Sequence, residues 1–385
     1  MSVVTPPLGV YVHWPYCARI CPYCDFNVYK QKPVDAALWR DAFSDDLRYW
    51  AARLEGRPLR SLYFGGGTPS LAPPGIIDGV IETCADVFGF EPDAEITLEA
   101  NPTDAEQSLF RSFAKAGVNR LSLGAQSLRD EALQFLGRDH GAEEAKRAIA
   151  LASEIFPRVT FDLIYARAGQ RADDWMAELD EALSFNPGHL SLYQLTIEPG
   201  TAFDIAVERG RWAPASEDDA AAMFDQTNAR LESAGLPNYE VSNYAAETQR
   251  SQHNLLYWTG ADYIGVGPGA HGRITEGEAR LATLAPTRPE AYLNAAAPRA
   301  NVSSLSARDR LVERFAMGLR LTEGLPLRAD DVFFKEPHAH DALQNLVGDG
   351  LLICRDERLA ATPSGRRVLN GVLDALLNTA AHGAD

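Results

Sequence analysis

Three thiols fall close together in the stretch Gly9-Val10-Tyr11-Val12-His13-Trp14-Pro15-Tyr16-Cys17-Ala18-Arg19-Ile20-Cys21-Pro22-Tyr23-Cys24-Asp25-Phe26. The spacing C-x3-C-x2-C lets a single loop fold its sulfurs around one face of a metal centre, as the thiolate ligands of iron–sulfur clusters do. In a [4Fe-4S] cube, three thiolates leave one iron open to an exchangeable ligand. Zinc is the other reading, but structural zinc sites close four ligands, usually from paired C-x2-C or C…H sets. No second pair exists: Cys84 and Cys354 stand alone, and His13 precedes the first thiol on a predicted strand. Cys84 and Cys354 are expected to be buried and inert.

With Tyr23 just before its last cysteine, this loop resembles the cluster-binding signature of the radical S-adenosylmethionine (SAM) superfamily. The resemblance implies a [4Fe-4S] cluster on Cys17, Cys21 and Cys24 with SAM chelating the open iron through its amino and carboxylate groups. An electron from the reduced cluster would then cleave the sulfonium to a 5′-deoxyadenosyl radical. The protein's part would be orientation and exclusion of water.

Such a loop must be held by a scaffold. Six short β-branched or aromatic runs, Gly9–His13, Arg60–Phe64, Glu95–Ala100, Arg120–Leu123, Val159–Ile164 and His189–Leu195, alternate with helix-length stretches at 35–54, 75–87, 104–116, 142–153 and 172–185. This pattern predicts an α/β fold, an incomplete (β/α)6 barrel or partial TIM barrel. Reactive residues would gather at the C-terminal ends of its strands. The cysteine loop follows the first run and Gly65-Gly66-Gly67-Thr68-Pro69 the second; Glu99 ends the third, Gln126 and Arg138 follow the fourth, and Asp162 lies in the fifth. A charge such as Asp162 in an apolar run is costly unless it is paired or faces a polar site.

Together these landmarks, from Gly9 to about Gly272, resemble the coproporphyrinogen-dehydrogenase-like branch of the superfamily. The resemblance implies Gly66, Gly67 and Thr68 against the SAM methionyl group. Glu99, Gln126, Arg138 and Asp162 would hold its amino-acid and ribose portions, with Tyr11 beside the same cofactor. Where the family continues the fifth strand as Gly-Leu-Pro-Gly-Gln, this chain has Ala166-Arg167-Ala168-Gly169-Gln170. Loss of the first Gly and of the Pro changes backbone freedom there, and the loop is expected to stay at the barrel mouth.

Farther on, His253-Asn254-Leu255-Leu256-Tyr257-Trp258 precedes the glycine-dense run Gly265–Gly272. An imidazole, aromatic walls and a turn-rich segment have the types a flat tetrapyrrole would need, although an ordinary core cluster uses the same residues. The H-N-x-x-Y-W pattern resembles the element that marks the haem-chaperone subgroup, HemW, of this family. It implies haem binding in this region, and His253, Tyr257 and Trp258 are the candidate haem residues, His253 as axial donor. In the dehydrogenases a further cysteine lies two residues after the third ligand; here that position is Phe26, and only eight residues precede Gly9. The expected function is therefore a haem chaperone that carries haem as cargo to haem-accepting proteins. The alternative is an oxygen-independent coproporphyrinogen III dehydrogenase, and no catalytic residue is assigned.

The remaining sequence bounds size and setting. With 385 residues the chain has room for a barrel with its haem-associated extension over 1–285 and a smaller, mostly helical, winged-helix-like domain over 286–385. A net charge of −17 provides no basic face for a nucleic acid. Neither a signal peptide nor a run of about 18 apolar residues is found, so a cytoplasmic protein without a membrane segment is expected. Clustered thiols fit a reducing compartment. A surface that exchanges haem would expose apolar area able to pair two subunits, so a homodimer is also expected.

Overall fold

The computed structural model describes residues 6–328, 331 and 337–379; Met1–Thr5, part of the stretch read above for export signals, lie outside them. Strand β1 (Leu8–Trp14) is buried on both faces except at Tyr11, the near-continuous apolar run of a central parallel strand. It pairs with β2 (Leu59–Gly66), and the parallel order continues through β3 (Phe90–Ala100), β4 (Arg120–Gln126), β5 (Arg158–Tyr165) and β6 (His189–Gln194). These are the six strands the sequence predicts. Helices α1 (Ala36–Arg53), α2 (Pro74–Val87), α3 (Phe110–Ala116), α4 (Ala142–Ile155) and α5 (Ala172–Leu183) alternate with them. Helix α1 shows why they form where they do. The Asp35 carboxylate caps it by accepting from the Ala37 and Leu38 amides at 3.0 and 3.2 Å, and Trp39, Phe43, Leu47 and Trp50 bury one stripe.

The sheet extends past the six strands on both sides. A short antiparallel β7 (Asn243–Ala245) flanks β6. On the other side β1 pairs with a parallel β8 (Asp262–Val266), followed by antiparallel β9 (His271–Glu276), β10 (Ala279–Leu284) and β11 (Asn301–Ser304). Among the described residues no pairing joins β7 to β11, so the barrel stays open, as expected.

Three sequence expectations change here. Cys84 is buried as expected, but Cys354, on a short edge strand, is exposed. The glycine-dense run at 265–272 is strand at 265–266 and 271–272 and a turn at 267–270; a Cβ on Gly265 would meet the His271 carbonyl oxygen at 2.0 Å, and one on Gly272 would meet Thr283 Oγ1 at 2.4 Å. Glycine there permits close strand approach. The expected division at 285/286 also cuts through this sheet, because β11 carries it on to Ser304.

A second core follows. Helix α6 (Gln252–Trp258) belongs to the barrel wall, whereas α7 (Ala307–Gly318), α8 (Pro337–Gly348) and α9 (Leu369–Thr379) pack on a small sheet in the order β12 (Leu325–Pro326), β14 (Arg358–Ala361), β13 (Leu352–Arg355). Phe315, Leu343, Leu359 and Leu376 fill its centre. Along the chain this unit, expected to be mostly helical, runs α7, β12, α8, β13, β14, α9. This unit is fastened to the barrel where Arg320 Nη2 donates to Glu240 Oε2 at 3.0 Å and the Thr322 amide to the Tyr239 carbonyl at 3.0 Å.

Candidate cofactor site

The cysteine loop leaves β1 and is closed at its neck by a two-residue parallel ladder, Tyr16–Cys17 with Tyr29–Lys30. The Tyr29 amide donates to the Pro15 carbonyl at 2.7 Å and Gln31 to that of Cys17 at 2.8 Å. Asn27 Nδ2 donates to the carbonyls of Pro268 and Thr287, both at 2.9 Å, tying the loop to the turn between β8 and β9 and to the segment after β10. His13 is buried, with its ring nitrogens 3.1 Å from the Tyr11 hydroxyl and 2.9 Å from the Asn27 carbonyl, so it holds the loop and does not join the thiols.

Cys17, Cys21 and Cys24 line one cavity of about 410 Å³ at the C-terminal ends of the parallel strands. Gly66, Gly67, Thr68, Glu99, Gln126, Arg138 and Asp162 line it too, so seven of the eight expected SAM residues converge on the thiols. Asn101, Tyr193 and Glu198 also face it; their only sequence signal is a place at a strand end. The glycines serve packing as well as access. A Cβ on Gly67 would lie 2.7 Å from the Tyr16 carbonyl oxygen, and Gly66, at φ +106°, lies against the His13 ring. The end of β2 is thereby pressed onto the root of the cysteine loop, with the Gly67 amide donating to the Trp14 carbonyl at 2.7 Å.

The electrostatics fit a zwitterionic, cationic nucleotide. Glu99 accepts from the Tyr63 hydroxyl at 2.7 Å and the Gly66 amide at 3.2 Å, and burial pushes its carboxyl up. Burial, then the charge of Glu99, push Asp162 up to about 7, and Asp162 Oδ1 is buried with no hydrogen-bond partner. Two carboxylates that destabilise each other in a closed site are relieved by a cation between them. Arg138 donates to Cys21 Sγ at 3.2 Å, to the Gly124 carbonyl at 3.0 Å and to Asn101 Oδ1, while its Nε is buried and unpartnered. A guanidinium so placed can take a ligand carboxylate. The orphaned oxygen and nitrogen are one acceptor and one donor, complementary to an ammonium and a carboxylate.

Burial pushes the Cys17 thiol up to about 11, so bound iron must draw its proton off. Among the described residues no three His, Cys, Asp or Glu side chains converge as ligands of a single ion. In a cluster each of the three thiolates would bind its own iron.

The remaining expected residues lie elsewhere. Tyr11 does not line this cavity; it faces a second one of about 1060 Å³, together with Tyr257 and Trp258. Gly66, Glu99 and Phe26 border both. His253 is buried behind Tyr257: its Nδ1 is 2.8 Å from Ser61 Oγ, its Nε2 2.7 Å from the Tyr257 hydroxyl, and burial pulls it down to about 3. With both ring nitrogens engaged it has no lone pair to offer iron, contrary to its expected role as axial donor. The departing segment Ala166–Gln170 follows β5 but lines neither cavity. Ala166 takes the left-handed backbone (φ +54°) that glycine would adopt without strain. Arg167 turns inward, donating to Glu178 Oε2 at 2.7 Å and the Ile164 carbonyl at 2.6 Å.

A profile of the radical SAM superfamily matches residues 11–182, and one of the HemN C-terminal domain matches 305–368. The chain is 40% identical to radical S-adenosyl methionine domain-containing protein 1, mitochondrial, of Bos taurus, over 96% of this chain and 87% of that one. It is 36% identical to heme chaperone HemW of Escherichia coli (strain K12), over 97% and 99%. The chain belongs to the HemN-like, HemW branch of the radical SAM superfamily. Membership makes a [4Fe-4S] cluster and SAM its cofactors; when bound, they supply reductive cleavage of the SAM sulfonium. Among solved structures, coproporphyrinogen III oxidase (HemN) from Escherichia coli, described as a radical SAM enzyme, superposes with a TM-score of 0.78 at 21% identity over 97% of this chain and 90% of that one. The shared fold includes the C-terminal unit. No helix among the described residues is long and apolar enough to cross a membrane.

Proposed function

We propose that this protein is a haem chaperone: it takes up haem and passes it to acceptor proteins, carrying a [4Fe-4S] cluster on Cys17, Cys21 and Cys24 with SAM as exchangeable ligand. In this reading Gly66, Gly67 and Thr68 hold the methionyl group, Glu99 and Asp162 take the ammonium and ribose, and Arg138 and Gln126 take the carboxylate. Tyr11, facing the other cavity, is not among them. The reading is carried by the end-to-end match to heme chaperone HemW of Escherichia coli, in which neither chain has a large unmatched part. Phe26, exposed to 65% where the dehydrogenase pattern has a further cysteine, supports it. The likeness to coproporphyrinogen III oxidase is one of fold and does not argue for that reaction.

A cytoplasmic setting belongs to this proposal, since thiolates must stay available to iron; relatives named mitochondrial make organelle fractionation its check. The function is tested by anaerobic reconstitution with iron and sulfide, a haem titration, and incubation with SAM, reductant and coproporphyrinogen III. Stoichiometric haem uptake without porphyrinogen conversion is expected; repeated turnover to protoporphyrinogen would replace the chaperone by the dehydrogenase.

A further inference from the structure

We infer that the second cavity is the tetrapyrrole site and that His271, not His253, donates to the haem iron, with Arg310 and Arg328 receiving the propionates. The inference rests on the chaperone reading; His271 lies in the glycine-dense run singled out in the sequence, whereas Arg310 and Arg328 lie in no motif.

The cavity lies in a crease between the barrel extension and the C-terminal unit. Alternate residues His271, Arg273 and Thr275 share one face of β9, and Arg310, Glu313, Arg314 and Met317 recur at i, i+3, i+4 and i+7 on one face of α7; all of them line it. A third wall is aromatic, Tyr257 and Trp258 of α6 with Tyr263 of β8. Its volume of about 1060 Å³ lies just above the usual range for ligand pockets, roughly 300–1,000 Å³.

Its cations differ in their commitments. Arg273 is held by Glu313 at 2.7 Å, Arg280 by Asp262 and Arg314 by Asp331. Arg310 and Arg328 form no ion pair among the described residues; Arg310 makes one bond, to the Glu278 carbonyl at 3.0 Å, and both are exposed at the rim. Two guanidiniums free for bidentate pairing suit two carboxylates on one edge of a planar ligand. Of the imidazoles bordering the cavity, His13 is committed to Tyr11 and the Asn27 carbonyl, whereas His271 is exposed and has no described side-chain hydrogen bond. Burial and the Arg273 charge hold it below its ordinary value, so it presents a neutral nitrogen at pH 7.

The test titrates ferric haem into the reconstituted protein and its variants, with SAM binding as the folding control. His271→Ala is expected to bind haem at least tenfold more weakly with a shifted Soret band, and added imidazole to restore the wild-type spectrum. Arg310→Ala with Arg328→Ala is expected to weaken haem by about tenfold and leave the affinity for haem dimethyl ester unchanged. A His271→Ala spectrum and affinity equal to wild type, or loss of haem only in Met317→Ala, would overturn the assignment while leaving the chaperone reading intact. Absence of stoichiometric binding by the unaltered protein would remove both.

Discussion

Asp162 shows how a single residue can be set for a ligand at the expense of the fold. Its carboxyl ionises near 3.8 in an unfolded chain and near 7 in the folded one, so the folded state holds the extra proton between those values. Stability therefore falls as pH rises from about 4 to about 7 and levels off above, the reverse of a salt-bridged aspartate. Asp162→Asn removes that loss. Without SAM, the variant should melt higher than the parent at pH 8, with the gap shrinking towards pH 4, and it should bind SAM at least tenfold more weakly by calorimetry; a lower melting temperature at pH 8 would contradict the argument. At this scale the sequence is unevenly informative. Cys17, Cys21, Cys24 and Asp162 are legible because packing alone rarely puts three thiols in one loop or a charge in an apolar strand. The arginines of the second cavity are not legible, because they come from 273 to 328 and a lone arginine has the same appearance on any surface.

Among the elements, the strongest constraint is on α6. Glu95 of β3, fully buried, accepts on Oε1 from the amides of Gln252 and His253 at 3.0 and 3.3 Å and from Ser251 Oγ at 3.3 Å, while Oε2 takes Arg120 Nη1 at 3.2 Å. One carboxylate thus satisfies the first turn of the helix that presents Tyr257 and Trp258. Glu95→Ala leaves Arg120 buried and unpaired and should cost about 3–5 kcal/mol in denaturant unfolding. Gly67→Ala should destabilise by about 1–3 kcal/mol and lower the iron content after reconstitution, because the added methyl displaces the root of the cysteine loop. Fold legibility also divides by element. The parallel strands stand out as short runs rich in apolar residues, although β2–β6 alternate these with buried polar ones such as Ser61, Thr97, Ser122, Thr160 and Ser191, whereas β8 and β9 carry glycines that resemble a turn until their close neighbours are known. Strand β12, two residues long, has no length over which a period could register.

For the whole molecule, the junction between the two units decides the shape of the crease. Arg320 reaches across it to the buried Glu240 and lies over the Trp258 ring at 4.5 Å. Arg320→Ala removes both contacts, although Glu240 keeps the Ser242 amide at 2.8 Å and Asn243 Nδ2 at 2.6 Å. A loss of roughly 1–3 kcal/mol is expected, with faster amide exchange in α7 than in β1–β6; uniform acceleration throughout the chain would contradict a local role.

The partition formed by Gly66, Glu99 and Phe26 has a thermodynamic corollary. Whatever occupies one chamber leans on a wall of the other, so a shift in haem affinity caused by SAM must be mirrored by an equal shift in SAM affinity caused by haem. Haem titrations with and without SAM bound read that shift, and equal affinities would mean that the two chambers fill independently.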